Sequence, residues 1–427
     1  MTRREFLRML GRAGLAMPAI VGQSSCAPRL ISEDPDTGLS LCYVAGDVTV
    51  DGAIIWLRAN PGSEVSLCCS KDRSFSRITS VGPYRVDDDA DHTVQIALEE
   101  LEPATTYYYF AVVTGKQPGY VGSFVTAPRP DDTTKVSFCF SGDTRESYQP
   151  FTVMKAVCAQ RPNFFLHLGD TIYADIGWRA RELPEFWAKY RANRNDVATQ
   201  LCFLETSTYV VWDDHEVVNN YASDYLLAPI GRKAFLDYWP IRRHCSEPQR
   251  IYRSARWGKG MELFLLDTRQ YRDPRRGTML GRAQKEWLLQ GLADSTAIFK
   301  FIATSVPMAG GGRDRWDGYP EERAEILRFI KEQKVSGVIF LSADLHYAAV
   351  TRIPNSRGLK DITAGPLAAP LNRVTNGFAQ RFEFFMAENF NFAKVTVDPE
   401  LTPAYALIEF IDQDNHVFYR TKIKAEE

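Results

Sequence analysis

The chain has 427 residues, 45% hydrophobic and 24% charged, which is a globular balance that excludes a disordered or fibrous protein. The formal net charge is −2 and no basic stripe appears, so nucleic-acid binding as the main role has no electrostatic support. This length exceeds what one hydrophobic core normally covers and predicts two domains.

The N-terminal segment 1–26 is interpreted as a twin-arginine export signal. Arg3 and Arg4 precede a weakly apolar stretch, 10–21, which glycine and proline interrupt and which is too short to span a bilayer. The alternative is an ordinary basic amphipathic N-terminus. Cys26 is a candidate for lipidation, or else a free cysteine beside the leader. We expect an exported monomer, periplasmic or extracellular, which is membrane-anchored if Cys26 carries lipid.

The residue pattern of the segment 39–127 predicts a series of short β-strands. Polar and apolar residues alternate over 93–98, and turn residues separate the apolar runs. Tyr107 follows Leu101 at the spacing of a tyrosine corner, in which the hydroxyl bonds back to upstream backbone. We therefore predict an all-β immunoglobulin- or fibronectin-like domain over 27–130.

A polar, proline-rich linker, 127–132, separates this segment from one of different character. After the linker, apolar runs alternate with helical stretches, which is typical of an α/β layered fold. In such folds ligands collect outside the carboxyl ends of the strands. We assign 131–427 to this second domain. Helices are predicted over 148–160, 184–194, 283–292 and 321–334.

Four apolar runs in the second domain end abruptly in acidic residues. A buried strand gains nothing from a terminal carboxylate without a partner, because unpaired buried charge is costly. Four such ends indicate one highly charged site, for which a metal cluster is the simplest partner. The runs are VSFCFSGD (136–143), FFLHLGDTIY (164–173), YVVWDDHE (209–216) and GVIFLSADLH (337–346).

The residue types in these runs suit two hard or borderline cations. Asp170 is the natural bridging ligand, and Tyr173 follows three residues later, where its phenolate could reach the same ion. Asp143 and His346 complete the first predicted site. For any one of these aspartates alone, capping a helix after a strand is the simpler explanation. For the whole set, metal binding is the better one.

The second predicted site pairs Asp214 with Asp344. Asn219 is equally well explained as a ligand or as a turn cap. His167 lies inside an apolar strand and is expected to be a buried histidine without a role in the site.

Seven segments together resemble the alkaline phosphatase D (PhoD-like) family of metallophosphoesterases. The resemblance extends over the whole chain after the leader, including the N-terminal β domain, and no single motif carries it alone. The segments are GDTIYAD (169–175), WDDHEVVNN (212–220), LDTRQYRD (266–273), LGRAQKEWL (280–288), RWDGYP (315–320), LSADLH (341–346) and AGP (364–366).

The resemblance implies a calcineurin-like metallophosphoesterase fold, a β-sandwich flanked by helices. It implies hydrolysis of phosphate monoesters, and sometimes diesters, by attack of a metal-bound hydroxide on phosphorus. Asp170 would bridge the ions, and Asp214 would take the place of an asparagine in the general motif. His215 would face the scissile phosphate, while Arg269 and also Arg145 would pair with phosphate oxygens.

The family also suggests the metals. Some members have a cysteine at the position of Asp143 and use it, with a tyrosine, to bind a ferric ion next to calcium. Asp143 makes the site harder, but a phenolate such as Tyr173 still favours a trivalent ion. We therefore expect Fe³⁺ with Ca²⁺, other divalent ions remaining open.

Two alternatives to an exported phosphatase remain at this point. In the first, the β domain is a surface binding module, and the phosphatase domain has lost its activity. In the second, the enzyme is a lipid phosphodiesterase, which a lipidated Cys26 would favour.

Overall fold

The structure of the chain is a computed structural model, and it describes residues 37, 39–116, 118–310, 312–373 and 382–426. The proposed export signal and Cys26 lie outside these described residues. None of the described helices combines the length and the apolar character that a membrane-spanning helix needs.

The N-terminal part is an all-β sandwich, as predicted. Its first sheet contains β1, β2 and β5, and its second has the order β4-β3-β6-β7. The Glu102 N–H donates to Tyr107 Oη at 2.8 Å, which confirms the tyrosine corner. The strands are β1 (Leu39–Gly46), β2 (Ala53–Ala59), β3 (Glu64–Ser70), β4 (Thr79–Arg85), β5 (Thr93–Leu98), β6 (Thr106–Val113) and β7 (Gly122–Val125).

The remainder of the chain alternates strands and helices and then ends in a β meander. The strands are β8 (Val136–Ser141), β9 (Phe164–Leu168), β10 (Ser207–Val211), β11 (Arg253–Trp257), β12 (Met261–Leu265), β13 (Phe299–Ala303), β14 (Val338–Ser342), β15 (Ala348–Arg352), β16 (Lys360–Thr363), β17 (Phe382–Met386), β18 (Asn391–Val397), β19 (Tyr405–Asp412) and β20 (Val417–Lys424). The helices are α1 (Val153–Ala159), α2 (Leu183–Arg194), α3 (Val197–Glu205), α4 (Ala228–Tyr238), α5 (Gly281–Asp294) and α6 (Pro320–Glu332).

Two large sheets face each other in the second predicted domain, and helices cover their outer faces. One sheet includes β18-β8-β9-β10, and the other has the order β11-β12-β13-β14-β16-β15-β17. Alternate residues of β8 show the layering: Phe138 packs edge-on against Phe301 of the facing sheet, whereas Cys139 belongs to the helix-covered cluster. This is the calcineurin-like sandwich flanked by helices that the resemblance implies.

Parallel pairing sets the position of the acidic run ends. Strands β8, β9 and β10 are mutually parallel, as are β12, β13 and β14. Their carboxyl ends therefore lie at a common edge within each sheet, and β9, β10 and β14 are completely buried. The sequence folds this way because continuous apolar runs suit strands that are covered on both faces.

The N-terminal sandwich is joined to the catalytic sheet. Gly46 at the end of β1 pairs in parallel with Thr208 of β10, and the Asp47 N–H donates to the Thr208 carbonyl at 3.2 Å. The sheet consequently runs without interruption through β10-β1-β2-β5. One hydrophobic cluster includes residues from both parts, such as Tyr109 and Phe301, so the core is shared between the two predicted domains.

Candidate metal centre

The turns after β8, β9, β10 and β14 carry the acidic residues, and backbone hydrogen bonds tie the first two of these turns together. The Asp143 N–H donates to the Gly169 carbonyl at 3.1 Å, and the Thr144 N–H donates to the Asp170 carbonyl at 2.9 Å. The ends of β8 and β9 are thereby held side by side, and both aspartates project from the same edge of the sheet.

Three groups of potential ligands adjoin one another at this edge. Within each group the ligand atoms lie within 4.8 Å of each other. Asp170 belongs to two groups, and so does Asp214. Each of these carboxylates therefore connects two neighbouring candidate metal positions. The groups are Asp143, Asp170 and His346; Asp170, Asp214 and His215; and Asp213, Asp214 and Asp344.

Several of these carboxylate oxygens are buried without a hydrogen-bond partner among the described residues. They are both oxygens of Asp143, Oδ2 of Asp213 and Oδ1 of Asp214. Buried polar atoms almost always have a hydrogen-bond partner, and a bound ion is a standard explanation when they have none. Clustered carboxylate oxygens with an imidazole are a donor set for hard or borderline cations. The residues present therefore fit metal ions.

Tyr173 and His346 stand beside Asp143. The His346 Nε2 atom lies 3.3 Å from Asp143 Oδ1 and 3.2 Å from Tyr173 Oη. The other ring nitrogen, Nδ1, lies 2.6 Å from the Pro370 carbonyl, which suits donation from Nδ1 and leaves Nε2 as the coordinating atom. The structure thus brings together the four residues of the first predicted site.

The electrostatics of the cluster are those of a site that lacks compensating charge. Burial raises the pKa of Asp170 well above its usual value, and the charges of Asp214 and Asp213 raise it further. Burial likewise raises the pKa of Tyr173, with further contributions from Asp170 and Asp143. Bound cations would reverse this balance and favour the ionised forms of these ligands.

His215 is fixed from two sides. Its Nδ1 atom lies 2.7 Å from Asp175 Oδ1, and its ring centroid is 4.3 Å from that of Tyr173. Burial disfavours the imidazolium, but the hydrogen bond to Asp175 and the charge of Asp214 outweigh it, raising the pKa of His215 to about 9. Because Nδ1 is occupied, Nε2 is the atom left for contact with a substrate.

Glu216 supports the site without being one of the clustered ligands. Its fully buried carboxylate accepts hydrogen bonds from the Thr171 N–H at 2.6 Å, from Thr171 Oγ1 at 2.7 Å and from the Asp213 N–H at 2.8 Å. This side chain therefore fastens the turn after β9 to the turn after β10, which sets the spacing between Asp170 and Asp214.

Four candidate ligands have left-handed backbone conformations. The φ angles are 67° at Asp143, 52° at Asp170, 63° at Asp344 and 58° at His346. Such angles are uncommon for residues other than glycine, although aspartate and histidine tolerate them better than most. Residues held in sparsely populated conformations of this kind are often found at functional sites.

The environment of Arg269 does not match its predicted role. The side chain is fully buried; Nε donates to Asp213 Oδ1 at 2.5 Å and Nη2 donates to Asp314 Oδ2 at 3.0 Å. A guanidinium enclosed by carboxylates cannot present its fork to a phosphate group. In this structure Arg269 neutralises acidic residues behind the site, and its pairing with phosphate oxygens stays a prediction.

Arg315 and Arg145 are the more accessible arginines. Arg315 is 21% exposed, and its Nε donates to Asp344 Oδ2 at 2.6 Å. Arg145 is half-buried, and its guanidinium has no hydrogen-bond or ion-pair partner among the described residues. Arg145 therefore keeps the freedom its predicted role requires, whereas Arg315 was not predicted as a site residue although its motif was recognised.

Two further residues complete the comparison with the sequence. Asn219 is exposed, and its backbone N–H donates to Asp175 Oδ2 at 2.9 Å, so its role as a ligand stays a prediction. His167 is buried, as expected, with Nε2 3.2 Å from Thr144 Oγ1, and burial lowers its pKa to about 3.

Asp175 and Asp213 were missed as functional residues, although each belongs to a motif that contains a predicted site residue, GDTIYAD and WDDHE.

This fold and this clustered carboxylate site define a metal-dependent phosphatase, that is, a phosphoric ester hydrolase. The chain belongs to the PhoD-like phosphatase family: the family profile matches residues 138–377, and the profile of the family's N-terminal domain matches 25–128.

Known proteins agree with this assignment. Alkaline phosphatase D of Bacillus subtilis (strain 168) is 27% identical over 423 residues, covering 81% of this chain and 71% of that protein. The solved structure of PhoD has a TM-score of 0.79 at 21% identity and covers 93% of both chains. The purple acid phosphatase PPD1 of yellow lupin (Lupinus luteus) has a TM-score of 0.68 at 14% identity, covering 90% of this chain and 75% of its own. The two structures show that the fold is common to these enzymes.

Proposed function

We propose that this enzyme hydrolyses phosphate monoesters, with diesters as a second substrate class, at a centre of two or more metal ions. The observation that carries the proposal is Asp170, which belongs to two adjoining ligand groups as a bridging carboxylate must. The unsatisfied buried oxygens of Asp143 and Asp214 support the same assignment.

The ligands divide between two ions. Asp143, Asp170, Tyr173 and His346 would hold the first. Asp170 would be shared with the second ion, which Asp214 and Asp344 would complete, with Asn219 as an additional oxygen ligand. Bound there, the ions would activate a water molecule as the nucleophile and offset the negative charge of the phosphate.

The surrounding residues orient the substrate and supply protons. Asp175 and Tyr173 hold the His215 ring, so that Nε2 is positioned to donate a hydrogen bond to the phosphate or a proton to the leaving group. Arg145 and Arg315 are the accessible cations for pairing with phosphate oxygens. Arg269 contributes indirectly, because its charge opposes the burial that raises the pKa of Asp213 and its Nε–H holds that carboxylate in place.

For the metals we propose Fe³⁺ at the position that Tyr173 shares with Asp143, next to Ca²⁺. The phenolate favours a trivalent ion, and the oxygen ligands proposed at the second position, Asp214 and Asp344 with Asn219, suit a hard divalent ion. The two relatives described above, alkaline phosphatase D and the purple acid phosphatase PPD1, are both phosphatases, which agrees with phosphate-ester hydrolysis at this centre.

For the cellular context we propose export by the twin-arginine route to the periplasm or the cell exterior, as a monomer. The arginine pair at Arg3 and Arg4 supports export, and Cys26 is the position at which a lipid anchor would be attached.

The test is metal analysis together with hydrolysis of a chromogenic phosphate monoester. We expect bound metal, activity that chelation abolishes, and a loss of at least about a hundredfold in Asp170→Asn, because even residues that only support metal ligands cost ten- to a hundredfold. Asp412→Asn is the matched control, since Asp412 is buried but lies in the hairpin between β19 and β20.

Full activity of Asp170→Asn, or of the metal-free protein, would overturn the proposal. A chromogenic bis-ester assayed in parallel separates the phosphatase from the lipid phosphodiesterase alternative, which predicts that the diester is the better substrate. The alternative of a binding module with an inactive phosphatase domain predicts neither stoichiometric metal nor hydrolysis, so the same two measurements separate it from the proposal.

A further inference from the structure

A basic hollow lies where the N-terminal sandwich meets the catalytic part. The segment 242–253, which lines it, contains four arginines and one histidine against a single carboxylate, Glu247. This segment is a local exception to the absence of a basic stripe in a chain of net charge −2. The hollow has a volume of about 210 Å³, and its basic lining consists of Arg242, Arg243, His244, Arg250 and Arg253.

One of the four arginines is neutralised within the protein. Arg253 donates from Nε and Nη2 to the Asp47 carboxylate, at distances of 2.6 to 2.9 Å. Asp47 comes from the sandwich, so this ion pair fastens the sandwich to the first strand of the second sheet. The only carboxylate that lines the hollow is thereby occupied.

Arg242 is far less well compensated. Its one ion pair is a 3.4 Å contact from Nη1 to Glu99, whose side chain is 69% exposed. Ion pairs of this exposed kind contribute little. The Nε–H of Arg242 is buried and has no hydrogen-bond acceptor among the described residues. A buried charged donor without an acceptor destabilises the protein, so we expect this N–H group to bind an anionic oxygen.

Arg250 and Arg243 bond only to neutral groups. Arg250 Nε donates to the Tyr252 carbonyl at 3.0 Å, and its guanidinium lies 4.0 Å from the centroid of the Tyr252 ring. Arg243 donates to the carbonyls of Pro248 at 3.2 Å and Leu236 at 2.5 Å. These contacts fix the orientation of both side chains but offset little of their charge, because the carboxylates near Arg243, Asp237 and Asp47, already bond to Lys233 and Arg253.

We propose that this hollow binds a phosphate dianion. Three arginines without adequate counter-charge surround a space large enough for a tetrahedral anion, and guanidinium groups match phosphate oxygens in geometry and charge. The hollow shares no lining residue with the metal centre, so it is a second anion site. Val48 and Thr49 of the sandwich also line the hollow, so an anion bound by the arginines of the catalytic part would lie against both parts of the protein.

The test is equilibrium dialysis of the metal-loaded enzyme against radiolabelled inorganic phosphate. We expect the double variant Arg242→Gln/Arg250→Gln to bind one phosphate fewer per chain than the wild type, or to weaken that site at least about tenfold. Affinity at this site should fall as salt is raised, because screening acts strongly on partly exposed charges. The difference between the two proteins is the readout, so the result does not depend on how many ions the metal centre binds.

Arg282→Gln/Arg328→Gln is the matched control. These two arginines line a different hollow beside α5 and α6, so this double variant should bind phosphate as the wild type does. Both variants should keep the circular dichroism spectrum and the ester-hydrolysing activity of the wild type, since neither changes a residue of the metal centre.

Equal phosphate binding by the wild type and Arg242→Gln/Arg250→Gln would overturn the proposal, as would an equal loss in the control. A parallel sedimentation assay with phosphatidic acid vesicles distinguishes a free anion from a lipid headgroup. Binding to the vesicles without measurable binding of inorganic phosphate would also contradict the proposed small-anion site.

Discussion

Arg269 shows how a residue's role depends on neighbours that are remote in sequence. The carboxylates that surround it come from the turn after β10 and from Asp314, which lies 45 positions after Arg269 in the chain. Its motif, LDTRQYRD, gives no sign of Asp314. The sequence therefore predicted an arginine near the site, but it did not predict the direction in which the guanidinium points.

The burial of Arg269 leads to a prediction about stability. Arg269→Gln should destabilise the protein by about 3–5 kcal/mol, because it leaves Asp213 buried and unpaired. Arg315→Gln should have a smaller effect on stability but should raise KM or lower kcat, since Arg315 is partly exposed at the site. Denaturant titration and ester kinetics on both variants check this. Equal stability loss in the two would contradict the assignment of separate roles.

A second prediction concerns Tyr173. If its phenolate binds a ferric ion, charge transfer should give the purified enzyme a visible absorption band, and Tyr173→Phe should remove that band completely, because Asp143 provides no thiolate to contribute. The phenylalanine ring can keep the contact with His215, so the fold should be retained. Absorption spectra of both proteins at equal iron content decide the matter. A colourless, active, fully metallated wild type would rule out a ferric ion on Tyr173 but not two-metal hydrolysis.

The acidic part of the centre could be predicted because each ligand directly follows a strong apolar run. Asp143, Asp170, Asp214 and Asp344 all adjoin the site as expected. Asp175 and Glu216 could not be assigned roles in advance, because they act through hydrogen bonds to residues of other turns. Such contacts depend on how the turns stack and leave no periodic pattern.

At the scale of elements, the four predicted helices exist with shifted ends. The helix predicted over 148–160 begins only at Val153: a 3-10 helix ends at Tyr148, and Pro150, which has no backbone N–H to donate, follows it. The last one ends at Glu332, two residues early. Helices α3 and α4 were not predicted: α3 is largely buried, so the polar face that reveals an amphipathic helix is missing.

Strand β16 carries a buried acid that makes stability depend on pH. Burial raises the pKa of Asp361 from 3.8 to about 6, although Ser342 and the Met308 N–H donate to its carboxylate at 2.7 and 2.6 Å. The folded state thus binds the proton more tightly than the unfolded state does. The carboxyl group therefore costs stability as the pH rises from about 4 to about 6, and the cost stays constant above that range.

Asp361→Asn should remove this dependence. An amide can still accept from the Met308 N–H and can donate to Ser342, whose hydroxyl can then bond to Thr363 at 2.9 Å. Relative to the wild type, the variant should gain up to about 3 kcal/mol in free energy of unfolding between pH 4 and pH 7. Denaturant titrations of both proteins at these pH values measure the gain. A difference that does not change with pH would show that Asp361 titrates normally.

At the scale of the molecule, the shared sheet makes the sandwich part of the catalytic structure. Asp91 of the sandwich accepts hydrogen bonds from Arg191 of α2 and Tyr238 of α4, in addition to its pairing with Arg58. The sequence revealed the change of character near residue 130 but not this connection, because the β1–β10 contact rests on a single pair of residues far apart in the chain.

We therefore expect that residues 131–427 expressed alone will not fold to an active enzyme. Removal of the sandwich would expose the edge of β10 and much of the common core, and an open apolar edge promotes aggregation. A chain comprising residues 37–427 is the control and should be soluble and active. Soluble yield, circular dichroism and ester hydrolysis compare the two. An active 131–427 fragment would show that the sandwich is dispensable.

The left-handed conformations at Asp143, Asp170 and Asp344 also bear on how this family can change over evolutionary time. While metal is bound, coordination offsets the free-energy cost of the left-handed backbone conformation at each position. In a descendant that no longer uses metal, nothing would favour an aspartate there, and glycine would relieve both the strain and the crowded charge. Glycines at these three turns would then identify an inactive relative from its sequence, even where the apolar strands before them are unchanged.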